Sequence, residues 1–214
     1  MRVLIADDHE IIRRGLQQIL ADAFPDIAVG EAETAEEALE QILDRDWDVV
    51  VLDISMPGRS GLDALKEIKK ERPSLPVLVL SIHPEEQFAT RVLKAGAAGY
   101  MTKETATAEL VNAINKVRTG GKYVSEQLAE KLALDLEREV DDKELHQRLS
   151  DREYEVLLLI AAGLSITQIA EKLSLSVKTI STYRARILEK TNLNSNADLI
   201  RYAIAHRLVA GLEE

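Results

Sequence analysis

Five short apolar runs recur through the first part of the chain, each followed by a stretch of helical periodicity, and this alternation constrains the fold more than any other feature. The runs are Val3–Ala6, Ile27–Gly30, Val49–Leu52, Val77–Leu80 and the weaker Ala98–Met101. Amphipathic spacing predicts helices between and after them, at Glu10–Ala23, Ala35–Arg45, Gly61–Lys70, Glu85–Ala95 and Thr107–Arg118. Strands this short and this continuously apolar belong to a sheet buried on both faces. Residues 1–120 are therefore expected to form an α/β domain, a doubly wound five-stranded parallel sheet with helices on both sides.

The remainder reads differently. Residues 121–147 form a predicted linker, and Ser125–Gln147 holds eight acids against three Lys/Arg, a helix expected to fray near Asp141 and Asp142. Residues 148–214 contain no convincing strand. Ser150 or Asp151, Ser165, Ser176 and Ser195 are placed to cap four short helices ending near Ala162, Leu173, Thr191 and Leu208, a small all-α domain. Val156, Leu157, Ile160, Ile166, Ile169, Ala170, Leu173, Val177, Ile180, Ile187, Leu199, Ile200, Ala203 and Ile204 supply its expected core.

Composition narrows the chemistry. The chain has no cysteine and only four histidines, which excludes disulfide stapling, thiolate catalysis and a Cys-ligated zinc. No run of about 18 apolar residues occurs, and Met1-Arg2 leads straight into a strand pattern without a secretory signal, so a cytoplasmic location with no membrane partner is expected. The formal charge is -10, but Arg148 to Ala210 carries nine Lys/Arg and six Asp/Glu, net +3, which leaves -13 elsewhere. An acidic body with a basic end suits local contact with a phosphate backbone.

In an open parallel sheet, functional groups gather beyond the C-terminal strand ends. Asp7 and Asp8 follow the first strand, Asp53 the third, Ser81 the fourth and Lys103 the fifth. Singly, each fits a structural role as a turn residue, a helix cap or a surface lysine. Together they are the parts needed to place a phosphoryl group on a carboxylate: a nucleophile, carboxylates for a hard cation such as Mg²⁺, a hydroxyl and an ammonium. After Asp53, Pro57, Gly58 and Gly61 favour a tight loop.

On Asp7-Asp8, LDISMPG around Asp53, Ser81 and GYMTK, residues 1 to about 120 resemble the receiver domain of bacterial two-component response regulators, a flavodoxin-like fold. The resemblance implies that Asp53 accepts a phosphoryl group from a sensor histidine kinase and loses it slowly by hydrolysis. It further implies that Mg²⁺ is held by Asp8, Asp53 and the Ser55 backbone carbonyl with help from Asp7, that Lys103 supports the phosphoryl group, and that Ser81 and Tyr100 move together as a switch.

In the C-terminal part, SVKTISTYRARILEK from Ser176 to Lys190 has net charge +3 and hydroxyls at Thr179, Ser181 and Thr182, a composition suited to a helix in a DNA major groove. The segments LSDREYEVL, AAGLSITQIAEKLSLSVKTISTYRARILEK and NADLIRYA resemble the LuxR/NarL-type helix-turn-helix domain. That resemblance implies double-stranded promoter DNA as partner, Ser181 and Thr182 facing bases, and Lys178, Tyr183, Arg184, Arg186 and Lys190 at phosphates or flanks. Relatives commonly carry lysine where Ser181 stands and histidine where Tyr183 stands. The last helix, especially Asn196 to His206, implies homodimerisation on phosphorylation or DNA binding, and receiver contact through the first and fifth helices would complement it. The expected function is a phosphorylation-controlled transcriptional regulator rather than an enzyme. The competing readings are an adaptor whose helical domain binds protein, favoured by the acidic total and by Ser181, and a small-molecule phosphatase or phosphotransferase, which would need a substrate pocket and a general base.

Overall fold

Each apolar run forms a strand in the computed structural model, which describes residues 1–137, 144–206 and 208–209. The chain divides into two units, Met1–Leu134 and Asp135–Glu214. In the first, β1 (Arg2–Ala6), β2 (Ala28–Ala32), β3 (Val49–Asp53), β4 (Val77–Ser81) and β5 (Gly99–Thr102) pair in parallel in the order β2-β1-β3-β4-β5. The helices between and after them are α1 (Glu10–Ala23), α2 (Ala35–Asp44), α3 (Gly61–Glu71), α4 (Glu85–Lys94) and α5 (Ala106–Arg118). Strand order reverses at β1, so the C-terminal ends of β1 and β3 lie side by side at the switch point.

Alternate strand residues explain the two layers of core. Val3, Ile5, Val49, Val51, Leu78 and Leu80 pack with Leu16 and Leu20 of α1 and with Leu110, Ile114 and Val117 of α5. Leu4, Val50, Leu52 and Val79, buried and out of phase by one residue, face the other side. Fully burying each such side chain is worth about 1.5–3 kcal/mol. β2 extends past the apolar run to Ala32 because its register follows β1, with Arg2 opposite Ala28 and Ala6 opposite Ala32.

After α5 the chain stays on this unit. Tyr123 pairs with Gly99, the Tyr100 N–H donates to the Tyr123 carbonyl at 3.1 Å and the Tyr123 N–H to the Ala98 carbonyl at 2.9 Å. A Cβ at Gly99 would stand 2.5 Å from the Tyr123 carbonyl oxygen, so glycine makes room for this strap. The Tyr123 hydroxyl bonds Glu109 of α5, and the Ser125 hydroxyl bonds Glu85 of α4. Ser125 also accepts from the Leu128 N–H at 3.0 Å, starting α6 (Glu126–Glu137) with Leu128 buried. The acidic run at Asp141 and Asp142 lies outside the described residues.

The second unit holds a short 3₁₀ turn at Leu145–Arg148, then α7 (Asp151–Ala161), α8 (Ile166–Lys172), α9 (Val177–Thr191) and α10 (Asn196–Ala205). Ser150 with Glu153 and Ser165 with Gln168 form reciprocal capping boxes, while Ser176 caps α9 and Ser195 caps α10. Asn192, left-handed at φ 54°, ends α9. Ile160, Ile169, Ile180, Ile187, Leu199 and Ala203 are buried. Val177 and Ile204, expected in the core, are instead 48% and 45% exposed: Val177 is the first residue of α9, at the end where the helix emerges from its neighbours, and Ile204 is displaced around α10 from the row of Leu199 and Ala203.

Candidate functional site

β1 ends at Ala6 and β3 ends at Asp53, so the turn Asp7-Asp8-His9 and the Asp53 carboxylate meet over the switch point. Asp7 and Asp53 are fully buried. Ligand atoms of Asp7, Asp8, His9 and Asp53 all lie within 4.8 Å of one another. Lys103, one residue past β5, reaches both buried acids, with Nζ 2.7 Å from Asp7 Oδ2 and 2.7 Å from Asp53 Oδ2. The other Asp53 oxygen, Oδ1, accepts the Ser55 N–H at 2.7 Å.

Gly61 lets α3 begin directly against this loop: a Cβ there would lie 2.4 Å from the Asp53 carbonyl oxygen. Burial pushes the Asp53 carboxyl from its ordinary 3.8 up to about 6; Lys103 pulls it down, Asp7 pushes it up and the Ser55 N–H pulls it down. Burial on its own would lower the Lys103 ammonium, but Asp53 and Asp7 outweigh it and hold the ammonium above its usual range. Asp7, Asp8 and Asp53 set three carboxyl groups against the single Lys103 ammonium, a cluster rich in hard oxygen donors. That donor set fits a divalent cation.

Two groups at this site carry no signal in the sequence beyond their neighbours. His9 Nδ1 lies 2.9 Å from Asp8 Oδ1 and 3.2 Å from Asp7 Oδ1. Arg13, only 5% exposed, donates from Nη1 to the Asp7 carbonyl at 2.8 Å, from Nε to Glu31 at 3.1 Å and from Nη2 to Glu33 at 2.6 Å. An Asp-Asp-His run could have flagged His9, whereas a lone arginine in an amphipathic helix reads as surface.

Ser81 and Tyr100 converge on one residue. Ser81 Oγ accepts the His83 N–H at 3.0 Å, and the buried Tyr100 hydroxyl donates to the His83 carbonyl at 2.8 Å. The His83 ring stacks obliquely on Phe88 of α4, centroids 4.8 Å apart. The loop from β4 to α4 is thus held by both side chains. A shift of Ser81 toward Asp53 would disturb the residue that Tyr100 holds.

In the second unit, α8 and α9 are joined by a short turn, with Ser174 left-handed at φ 52°. Lys178, Ser181, Thr182 and Arg186 are exposed along one face of α9. Ile180, Ile187 and Thr191 are buried on the opposite face, and Arg184 falls on that row. Arg184 Nε donates to Asn196 Oδ1 at 2.6 Å, tying α9 to α10. Lys190 Nζ lies 2.6 Å from Glu153, the α7 capping residue. Burial would push Glu153 up, but the Lys190 ammonium and Ser150 hold its carboxyl below the usual range. Thr179 bonds the Ser176 hydroxyl at 2.7 Å, and Tyr183 is half-buried. The hydroxyls of Ser181 and Thr182 donate back to the carbonyls of Val177 and Lys178.

Residues 3–115 match the response regulator receiver domain, and residues 147–203 match the bacterial regulatory proteins of the luxR family. The chain is 39% identical to response regulator GacA of Pseudomonas viridiflava over 209 residues, covering 98% of each. It belongs to the response regulators with a LuxR-type output domain. Response regulator UvrY of Escherichia coli strain K12 is 36% identical over 97% of this chain and 95% of its own. Among solved structures, RcsB from Salmonella enterica serovar Typhimurium, bound to promoter rprA in the presence of the phosphomimetic BeF3−, is 30% identical with a TM-score of 0.62, covering 96% of this chain and 99% of that one. This response regulator therefore pairs an acidic receiver crevice with a DNA-binding output module, the arrangement of a phosphorylation-regulated transcription factor. Among the described residues no helix is long and apolar enough to cross a membrane.

Proposed function

We propose that Asp53 accepts a phosphoryl group from the phosphohistidine of a sensor histidine kinase, that Mg²⁺ is the divalent ion of the site, and that the modified protein binds promoter DNA as a cytoplasmic homodimer. The observation that carries the reading is the buried Asp53 carboxylate at the tip of β3, 2.7 Å from Lys103 and grouped with Asp7 and Asp8. A carboxylate oxygen of Asp53 forms the new P–O bond as the P–N bond to the donor imidazole breaks, and the imidazole, already protonated on its other ring nitrogen, leaves as the neutral base with the bonding electron pair. Asp7, Asp8, Asp53 and the Ser55 carbonyl would hold Mg²⁺, which supplies positive charge against the phosphoryl oxygens and the crowded carboxylates. Lys103 offsets charge on the same group, and Ser81 hydrogen-bonds one of its oxygens. Drawing Ser81 inward alters its hold on His83, and with it the loop that Tyr100 anchors.

In the output unit, the exposed face of α9 supports Lys178, Ser181, Thr182 and Arg186 as the DNA-facing set, with the half-buried Thr179 and Tyr183 at its flanks. Arg184 and Lys190 act first as ties to Asn196 and Glu153. A homodimer doubles the phosphate contacts of a weakly basic module and matches two half-sites. Promoter-wide binding with and without a small acyl-phosphate donor tests the whole reading. Donor-dependent binding by wild-type protein and donor-independent binding by Asp53→Ala are expected. Mass spectrometry that finds no acid-labile adduct on Asp53 at saturating donor and Mg²⁺ overturns it.

A further inference from the structure

We propose that Arg13 is a positioning residue for divalent-cation binding: its buried guanidinium fixes the Asp7-Asp8 turn by holding the Asp7 carbonyl from α1. The inference rests on the metal reading above. The Asp7 N–H is fixed by the Ala32 carbonyl at 3.1 Å, and Arg13 Nη1 fixes the carbonyl on the other side of the same residue at 2.8 Å. Both peptide groups around Asp7 are thereby set, and the second of them determines where the Asp8 side chain projects. Only Asp7, Asp8 and His9 separate β1 from α1, and His9 offers no side-chain cap to the helix. The His9 N–H donates to Asp7 Oδ1 at 2.8 Å, which completes the turn.

The surroundings of Arg13 fit positioning better than plain stabilisation. A guanidinium so largely covered is costly unless its donors are paired, and apolar side chains of similar volume commonly serve stability as well or better. Here each guanidinium nitrogen has a partner: Glu31 of β2 and Glu33 just past it take Nε and Nη2, and Nη1 meets the Asp7 carbonyl. Glu33 is itself set by the bond from its N–H to Glu37, and the Glu31 carbonyl accepts from Gln41. The turn that carries two candidate ligands is thus braced from β2, α1 and α2.

Charge and position predict opposite signs. Removing the Arg13 cation leaves Glu31 and Glu33 uncompensated beside the acidic crevice, which by Coulomb attraction alone would tighten a divalent cation. Loss of positioning would loosen it, and groups that orient metal ligands typically contribute roughly 10–100-fold in affinity. Calorimetric titration of Mg²⁺ into the full-length protein separates the two, with Arg13→Met, Arg13→Lys and the double variant Arg13→Met/Glu33→Gln compared against wild type. Arg13→Met is expected to weaken Mg²⁺ binding about tenfold or more despite its added negative charge. Arg13→Lys, which keeps the charge and one donor, should recover part of the loss, and the double variant should bind no better than Arg13→Met. Unchanged or tighter binding by Arg13→Met overturns the proposal while leaving the metal reading intact. Absence of binding by wild type overturns both. Should Arg13→Met fail to fold by circular dichroism, Arg13→Lys decides: wild-type affinity in that variant, whose single head cannot reproduce the fork, overturns the proposal.

Discussion

The Lys103 ammonium lies 2.7 Å from Asp53 Oδ2, with both groups withdrawn from solvent, and the pair still leaves the Asp53 carboxyl raised to about 6. Burial therefore outweighs the ion pair. An acid whose folded value stands above its ordinary 3.8 favours the folded state when protonated, so this contribution is lost as pH rises from about 4 through 6. Asp53→Asn, neutral throughout, should stabilise the metal-free receiver at pH 7.5 by up to about 3 kcal/mol, and the gain should vanish near pH 4. Thermal or urea unfolding at both pH values measures it. An equal gain at both would refute the assignment.

Protons and metal compete for the same carboxylate. The apparent Mg²⁺ dissociation constant should rise about tenfold between pH 7 and pH 5, following ionisation of Asp53 near 6. Lys103→Gln removes a cation that lowers Asp53, so in that variant the fall in affinity should begin at higher pH. Above the pH at which Asp53 ionises in both proteins, Lys103→Gln should bind Mg²⁺ more tightly, because the competing ammonium is gone. Calorimetry across pH 5–8 reads both effects.

Tyr100→Phe removes the donor to the His83 carbonyl and nothing else in the side chain's shape. A destabilisation of about 1 kcal/mol is expected from one buried hydrogen bond. The more telling readout is the ratio of DNA affinities with and without phosphodonor, which should shrink toward one if Tyr100 links the β4–α4 loop to output.

On α9, four cations should fall into two classes. Lys178→Ala and Arg186→Ala should each lower DNA affinity and flatten its salt dependence by about one unit of slope for every phosphate no longer neutralised, with unfolding unchanged. Lys190→Ala should instead lower stability by about 1 kcal/mol, a figure kept small because the lysine end of its pair with Glu153 is 41% exposed. Arg184→Ala should loosen the tie to Asn196 of α10. Binding titrations at several salt concentrations, paired with thermal unfolding, distinguish the two classes.

The strands and the strand-end acids were legible because both signals are local. Val49–Asp53 announces a buried strand by its own composition, and Asp7, Asp8, Asp53, Ser81 and Lys103 stand where a parallel sheet delivers functional groups. What stayed hidden depends on partners distant in the chain. Arg13 is buried only because Glu31 and Glu33 arrive from the end of β2, and Lys190 is tied down only because Glu153 caps α7. Val177 reads as core because periodicity gives the helix face but not the point at which α9 emerges from its neighbours. The strap is unreadable for the same reason, since Tyr123 and Ser125 find Glu109 and Glu85 only after the sheet has formed.

That strap has a consequence for how the receiver behaves among other proteins. An outermost strand with free amide and carbonyl groups is a template on which foreign polypeptide can polymerise. Tyr123 occupies that position on β5, while the opposite margin, β2, carries the charged Glu31. A receiver fragment ending at residue 120 should therefore self-associate through its bared margin, whereas one ending at residue 137 should remain dispersed in light scattering. The stretch that leads toward the output module doubles as the hem that keeps the sheet from fraying into aggregates.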